Sequence, residues 1–216
     1  KEQWLIDTLA ANGHGEWDSE YRFWIFNSAF NVLQLGQKPE AFTRLLQKLA
    51  LEDSHKTMRL YALQHIELQR ADGKLTGPLA AEIRDTLYVL ANQRKSQTAG
   101  TALTLLVDWE GSETPASPEL IELALKLAAD STSPVDIRVT AIHAVDEKAL
   151  ETARTLAADS TQPVLVRKAS IACIGRYGNQ ADTPKLENLS AENFRIAQAA
   201  QPALRARPAP PRVGGA

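Results

Sequence analysis

The sequence predicts an all-α repeat protein, an α-solenoid of about six stacked helical hairpins with an armadillo-type superhelical arrangement, and three observations lead there. First, "LAADSTSPVDIRVTAIHAV" from Leu127 returns at Leu156 as "LAADSTQPVLVRKASIACI", with ten of nineteen positions identical. Self-similarity at a period of roughly 20–50 residues marks units that cover their apolar faces by stacking. Second, apolar or small residues recur at i, i+4, i+7 and i+8: Val166, Ser170, Cys173 and Ile174; Ile137, Ala141, Ala144 and Val145; Thr98, Ala102, Leu105 and Leu106. Such a set forms one stripe of an α-helix. Third, no stretch sustains the period-two alternation with β-branched residues that a strand requires.

In chain order, the hairpins are expected at 1–36, 39–72, 77–111, 117–147, 148–178 and 182–207. The first is marked by Trp4, Leu5 and Leu9 and then by the aromatic run "YRFWIFNSAF" (Tyr21 to Phe30). The second pairs "PEAFTRLLQKLA" with "MRLYALQHI", which aligns with "IRVTAIHAV" through Met58/Ile137, Arg59/Arg138, Ala62/Ala141 and Ile66/Val145. The third pairs "PLAAEIRDTLYVLA" with the degenerate copy "TAGTALTLL", and the fourth and fifth open on "PELIELALKLAA" and "ALETARTLAA". Pro39, Pro78, Pro118, Pro134, Pro163 and Pro184 stand where helices should begin, since a first-turn proline sacrifices no hydrogen bond. Ser117 and Ser133 precede two of them as expected N-caps. The array is expected to be one domain over 1–207, with a bend or insertion at 111–119 and a disordered Pro/Gly-rich tail at 208–216.

Composition narrows the function classes. With 216 residues, 44% of them hydrophobic, the chain can bury a substantial core, and a net charge of -2 creates no field that would draw it to nucleic acid. One cysteine, Cys173, excludes an intramolecular disulfide. No apolar run is long enough for a membrane span and no signal peptide opens the chain, so a soluble protein is expected, cytoplasmic or exported after loss of an upstream signal. Because the sequence starts on Lys1 and turns helical at once, an upstream part is expected to have been removed.

"LAADSTQPVLVRKASIACIGRYG" (Leu156 to Gly178) resembles a HEAT repeat, of the short type found in phycobilisome-lyase-like proteins. The matching pattern is the Asp159 turn, Pro163, Val166-Arg167, the small residues Ala169-Ser170 and the Gly175 to Gly178 ending. Leu127 to Val145 is similar without the glycines, and Met58 to Ile66 is a partial match. The resemblance implies an α-solenoid whose second helices line a concave, partner-binding surface. It does not imply bilin attachment, because no chemistry-bearing motif of those lyases is present.

Candidate residues sort accordingly. Asp130 and Asp159 each precede an arginine, Arg138 and Arg167, by eight residues, while Asp53 precedes Arg59 by six. In the degenerate unit the arginine position is Ala99 and the turn carries Asn92 and Gln93, so both charges vanish together. That pattern favours a structural ladder in which each arginine ties down its own hairpin's turn, over arginines reaching for a ligand. His14, His55, His65 and His143 lack zinc-ligand spacing, and no GxSxG, Walker loop or GxGxxG occurs, so no metal, cofactor or catalytic residue is assigned.

The expected function is non-enzymatic: a scaffold, conceivable as a region of a larger protein, that binds a protein partner through Tyr61, Gln64, Thr140, His143, Lys168 and Arg176. The alternative is a HEAT-like DNA glycosylase of the alkylpurine type with Asp108 and Trp109 in its groove. That alternative needs a basic groove, and Trp109 falls on the packing stripe. Tyr21 to Phe30 is apolar around most of the helix, and Trp17 to Phe30 is the stretch on which a further domain is expected to pack. A helix sandwiched in the stack and a docking face for a missing N-terminal domain are both favoured over a partner-binding patch there.

Overall fold

The computed structural model describes residues 1–11, 19–53, 55–93, 96, 98–111 and 116–206. Among them the chain is all-helical, with no strand. The α-helices follow one another in neighbouring pairs: α1 (Glu2–Ala11) and α2 (Ser19–Gln34), α3 (Pro39–Glu52) and α4 (Lys56–Ala71), α5 (Gly77–Asn92) and α6 (Thr98–Gly111). Then come α7 (Pro118–Ala129) and α8 (Val135–Ala144), α9 (Leu150–Ala158) and α10 (Val164–Tyr177), and α11 (Thr183–Ser190) and α12 (Phe194–Arg205). Short 3-10 turns, Asp146–Ala149 and Gln180–Asp182, lead into α9 and α11. His14, Trp17, residues 112–115 of the expected bend and the tail at 208–216 lie outside the described residues.

The chain divides into two compact units, Lys1–Leu106 and Val107–Ala216. In the first unit α1 packs on α3 and α3 on α5, while α2 packs on α4 and the α3–α4 pair closes on itself. In the second, α7 packs on α9, and α8 and α12 both pack on α10. Within each unit, then, first helices neighbour first helices and second helices neighbour second helices.

Periodicity explains which faces meet. α3 buries Phe42, Leu45, Leu46, Leu49 and Ala50, an i, i+3, i+4, i+7, i+8 set that makes one stripe. On the second helices, Val166, Ser170, Cys173 and Ile174 are all buried, as are Thr98, Ala102, Leu105 and Leu106. Pro39 and Pro118 open α3 and α7, and Pro78 and Pro184 are the second residues of α5 and α11. Ser117 caps α7 by accepting the Leu120 amide at 3.2 Å. Ser133 does not cap α8: Pro134 holds the N-cap position there, and the Ser133 hydroxyl donates instead to the Asp130 carboxylate at 3.3 Å. Pro163 likewise stands at the N-cap of α10, one residue before the helix.

Two glycines have a physical reason. Gly73, at φ +69, lets the chain leave α4 in the left-handed region while the Lys74 amide donates back to the Gln69 carbonyl at 2.9 Å. Gly175 lets α12 approach α10 closely. A Cβ there would lie 2.5 Å from the Ala203 Cβ and 2.8 Å from its Cα. Since the obstacle includes backbone, Gly175→Ala should destabilise the protein by about 1–3 kcal/mol in urea titration, although alanine is the better helix former.

Candidate functional site

The ladder residues define the most regular geometry in the molecule. Asp53, Asp130 and Asp159 are the C-cap residues of α3, α7 and α9. Each carboxylate accepts the amide two residues on, from His55 at 2.8 Å, Thr132 at 2.9 Å and Thr161 at 2.9 Å. This is the local turn that aspartate favours, because its short side chain can reach its own following backbone.

The arginines act on the other side of the same turn. Nε of Arg59, Arg138 and Arg167 donates to the carbonyl of Ala50 at 2.8 Å, Ala128 at 2.9 Å and Ala157 at 3.0 Å. Those carbonyls belong to the last turn of the preceding helix, which has no intrahelical donor left for them, and a cation there also suits the helix dipole. The second contact was not foreseen. Nη2 of each arginine reaches the turn of the following hairpin: Gln93 at 2.9 Å, Gln162 at 2.6 Å and Glu192 at 2.9 Å. Each arginine therefore fastens its own turn and the next one, while Ala99, at the equivalent position of α6, is fully buried.

Burial sets the electrostatics. Arg138 is 1% exposed, and desolvation lowers its pKa against the opposing charges of Asp130 and Asp159. The Asp159 carboxyl is held down at about 2 by hydrogen bonds from the Gln162 side chain first, and then from the Thr161 side chain and amide. Asp53 differs from the other two acids. It forms a buried ion pair with Arg22 of α2, in which Nη1 donates to Oδ1 at 3.2 Å and Nη2 to Oδ2.

The residues expected to contact a partner lie on α4, α8 and α10. Gln64, His143 and Arg176 are exposed, and Tyr61, Thr140 and Lys168 are half-buried. Tyr61 is partly engaged, with its ring edge-on to Phe23 at 6.5 Å. Arg176 lies over the Tyr177 ring at 5.8 Å, and the Tyr177 hydroxyl donates to Asp146 at 2.6 Å. Asp146 is a non-glycine residue with positive φ, 48°, a conformation that aspartate tolerates better than most.

The remaining candidates have separate surroundings. Asp108 is exposed and Trp109 half-buried on α6. His55 caps α4 by accepting the Thr57 amide at 3.2 Å. His65 is buried against Phe30 and Phe42, and burial pushes its pKa down. Burial likewise raises the pKa of the Cys173 thiol, which argues against a reactive thiolate. Among the described residues no group of three or more His, Cys, Asp or Glu could hold a metal ion, and no helix is long and apolar enough to cross a membrane.

Sequence reasoning missed several buried polar links. Gln34 donates to Asp72 at 2.9 Å and accepts from Gln69 at 2.8 Å, joining α2 to α4. Arg154 of α9 grips buried Asp182 with two bonds, 2.7 and 2.8 Å. For Gln34 and Gln69 the sequence signal is a polar residue at a position that helical period assigns to the interior; Asp72 and Asp182 lie beyond the ends of the α-helices, outside any such period. No family model matches the chain, and neither a curated protein nor a solved structure matches it.

Two outcomes follow from this geometry. Arg138→Met, which leaves the Ala128 carbonyl and Gln162 without their donors, should cost about 2–4 kcal/mol in denaturant titration, and Arg138→Lys about 1–2 kcal/mol because an ammonium cannot span both acceptors. Asp159→Asn should be less stable than wild type near neutral pH. Because the folded pKa of Asp159 lies below its ordinary 3.8, its contribution is complete above about pH 4 and lost as pH falls through about 2. The two melting curves should therefore converge over that interval.

Proposed function

We propose that the protein is a HEAT-like α-solenoid that serves as a non-enzymatic protein-interaction module, its binding surface built from the second helices of successive hairpins. The observation that carries this reading is the arginine clamp. The same side chain, at the same helical position in Arg59, Arg138 and Arg167, bonds its own turn and the next. A bond repeated from unit to unit is what an array of stacked hairpins needs, since stability there is a sum of unit and neighbour terms.

The assignment of the face rests on what packing leaves over. On α4, α8 and α10 the apolar stripe is buried and the clamp arginine is engaged; Gln64 and His143 are exposed polar side chains five residues after their arginines, and Arg176 is exposed one turn further along its helix. Polar tips on half-covered helices suit recognition of another polypeptide through side-chain hydrogen bonds and charge.

Capture of binding proteins by wild type and by a variant carrying Gln64→Glu, His143→Ala, Lys168→Glu and Arg176→Glu tests the reading. The variant should lose the partner by at least about tenfold while its far-UV circular dichroism and melting stay nearly unchanged, since Gln64, His143 and Arg176 are exposed and Lys168 lies outside the packed stripe. Undiminished capture would remove this face from consideration. Salt-sensitive binding to duplex DNA centred on Asp108 and Trp109 would replace the reading with that of a DNA-repair glycosylase.

A further inference from the structure

We propose that the outer face of the first hairpin is a self-association surface, on which a second copy of this chain docks its own first hairpin about a two-fold axis. α2 has two apolar faces. Its inner face sends Phe26, Ala29, Phe30 and Leu33 into the core of the first unit. Its outer face carries Tyr21, Trp24, Ile25, Val32 and Leu35, all exposed and, at 100° per residue, confined to one stripe of about 100° in which Ser28 is the one polar residue. Trp4 of α1 extends that stripe, because Trp4, Leu5 and Val32 line one groove of about 570 Å³ with Lys1 and Glu2 at its rim. Among the described residues α2 is thus covered on one side, not sandwiched between two layers.

The exposed area is of interface size. Trp4, Tyr21 and Trp24 are 70%, 72% and 69% exposed. Taking roughly 150–250 Å² for a whole aromatic side chain, the three rings alone offer about 300–500 Å². Ile25, Val32 and Leu35, at 42%, 61% and 82% exposed, bring the total to the order of 600–800 Å², at or above the roughly 300–600 Å² of the largest patch on a typical monomer and near the ~800 Å² that each partner buries in a standard interface.

The polarity of the last helix selects the arrangement. α12 exposes Arg195, Gln198, Gln201 and Arg205 beside Phe194 and Pro202. A contact of this stripe with α12 of another copy would set aromatic rings against charge, whereas an isologous contact removes apolar surface from both copies at once.

Sedimentation equilibrium of the 216-residue chain over low to high micromolar concentration tests the proposal. The weight-average mass should rise from 23.6 kDa toward twice that value. Trp24→Glu with Val32→Glu, and separately Leu35→Lys at the far end of the stripe, should raise the dissociation constant by at least about 30-fold, as loss of an interface hot spot does, with unchanged circular dichroism. Leu165→Glu, on exposed α10 surface, should associate like wild type. A single-chain mass at every concentration would overturn the proposal and leave the face to a different occupant. A dimer unaffected by all the first-hairpin substitutions would overturn it by placing the interface elsewhere.

Discussion

The arginine at the start of each clamped second helix solves two problems with one side chain. A helix that ends against a tight turn leaves carbonyls without donors, and those of the buried Ala50, Ala128 and Ala157 cannot readily be handed to water. A planar guanidinium with several fixed donors can meet such a carbonyl through Nε and still have Nη2 free to reach 2.6–2.9 Å contacts on the next turn. Lysine has the charge but not the fork, and an apolar residue has neither. The register of first helix, turn, second helix and following turn is thereby written into a single rotamer.

Other polar links support the same rows of helices. Arg44 of α3 donates to Glu82 of α5 at 2.8 Å, and Gln47 to Thr86 at 2.8 Å, so first helices are joined to first helices by side chains as well as by packing. Arg154 and Asp182 do this between α9 and the entrance to α11. The exposed Arg44–Glu82 pair contributes little, as surface ion pairs do. The Arg22–Asp53 pair is different, because both side chains are nearly inaccessible and either one left alone would be an uncompensated buried charge. Such pairs fix which helices meet more than they add to stability.

Much of this organisation was legible in the sequence. Prolines and the 3.6-residue period locate the hairpins because both report local backbone constraints, and the joint loss of arginine and acid at Ala99 and Gln93 exposes the coupling of second helix to turn. The partner of Nη2 was not legible. Gln93, Gln162 and Glu192 lie 34, 24 and 25 residues from their arginines, so no fixed offset announces them, and either amide or carboxylate serves as acceptor. Asp53 looked like one more partner for an arginine of its own hairpin, yet its ion pair is with Arg22, a residue 31 positions earlier. Periodicity also could not say which apolar face of α2 would be covered, since Phe26 and Trp24 read alike until a neighbour is placed.

The unequal spans of the clamp have an evolutionary consequence. If the turns were matched by counting residues, an insertion between hairpins would throw every later contact out of step. Instead a guanidinium finds its acceptor across 24 residues in one place and 34 in another, the longer span coming from the longer helices α4 and α5, so the helices of a hairpin can grow or shrink while the clamp contact stays the same. Hairpins of different length become interchangeable parts, and a chain assembled from them can diversify by duplication and splicing long after its copies have ceased to look alike.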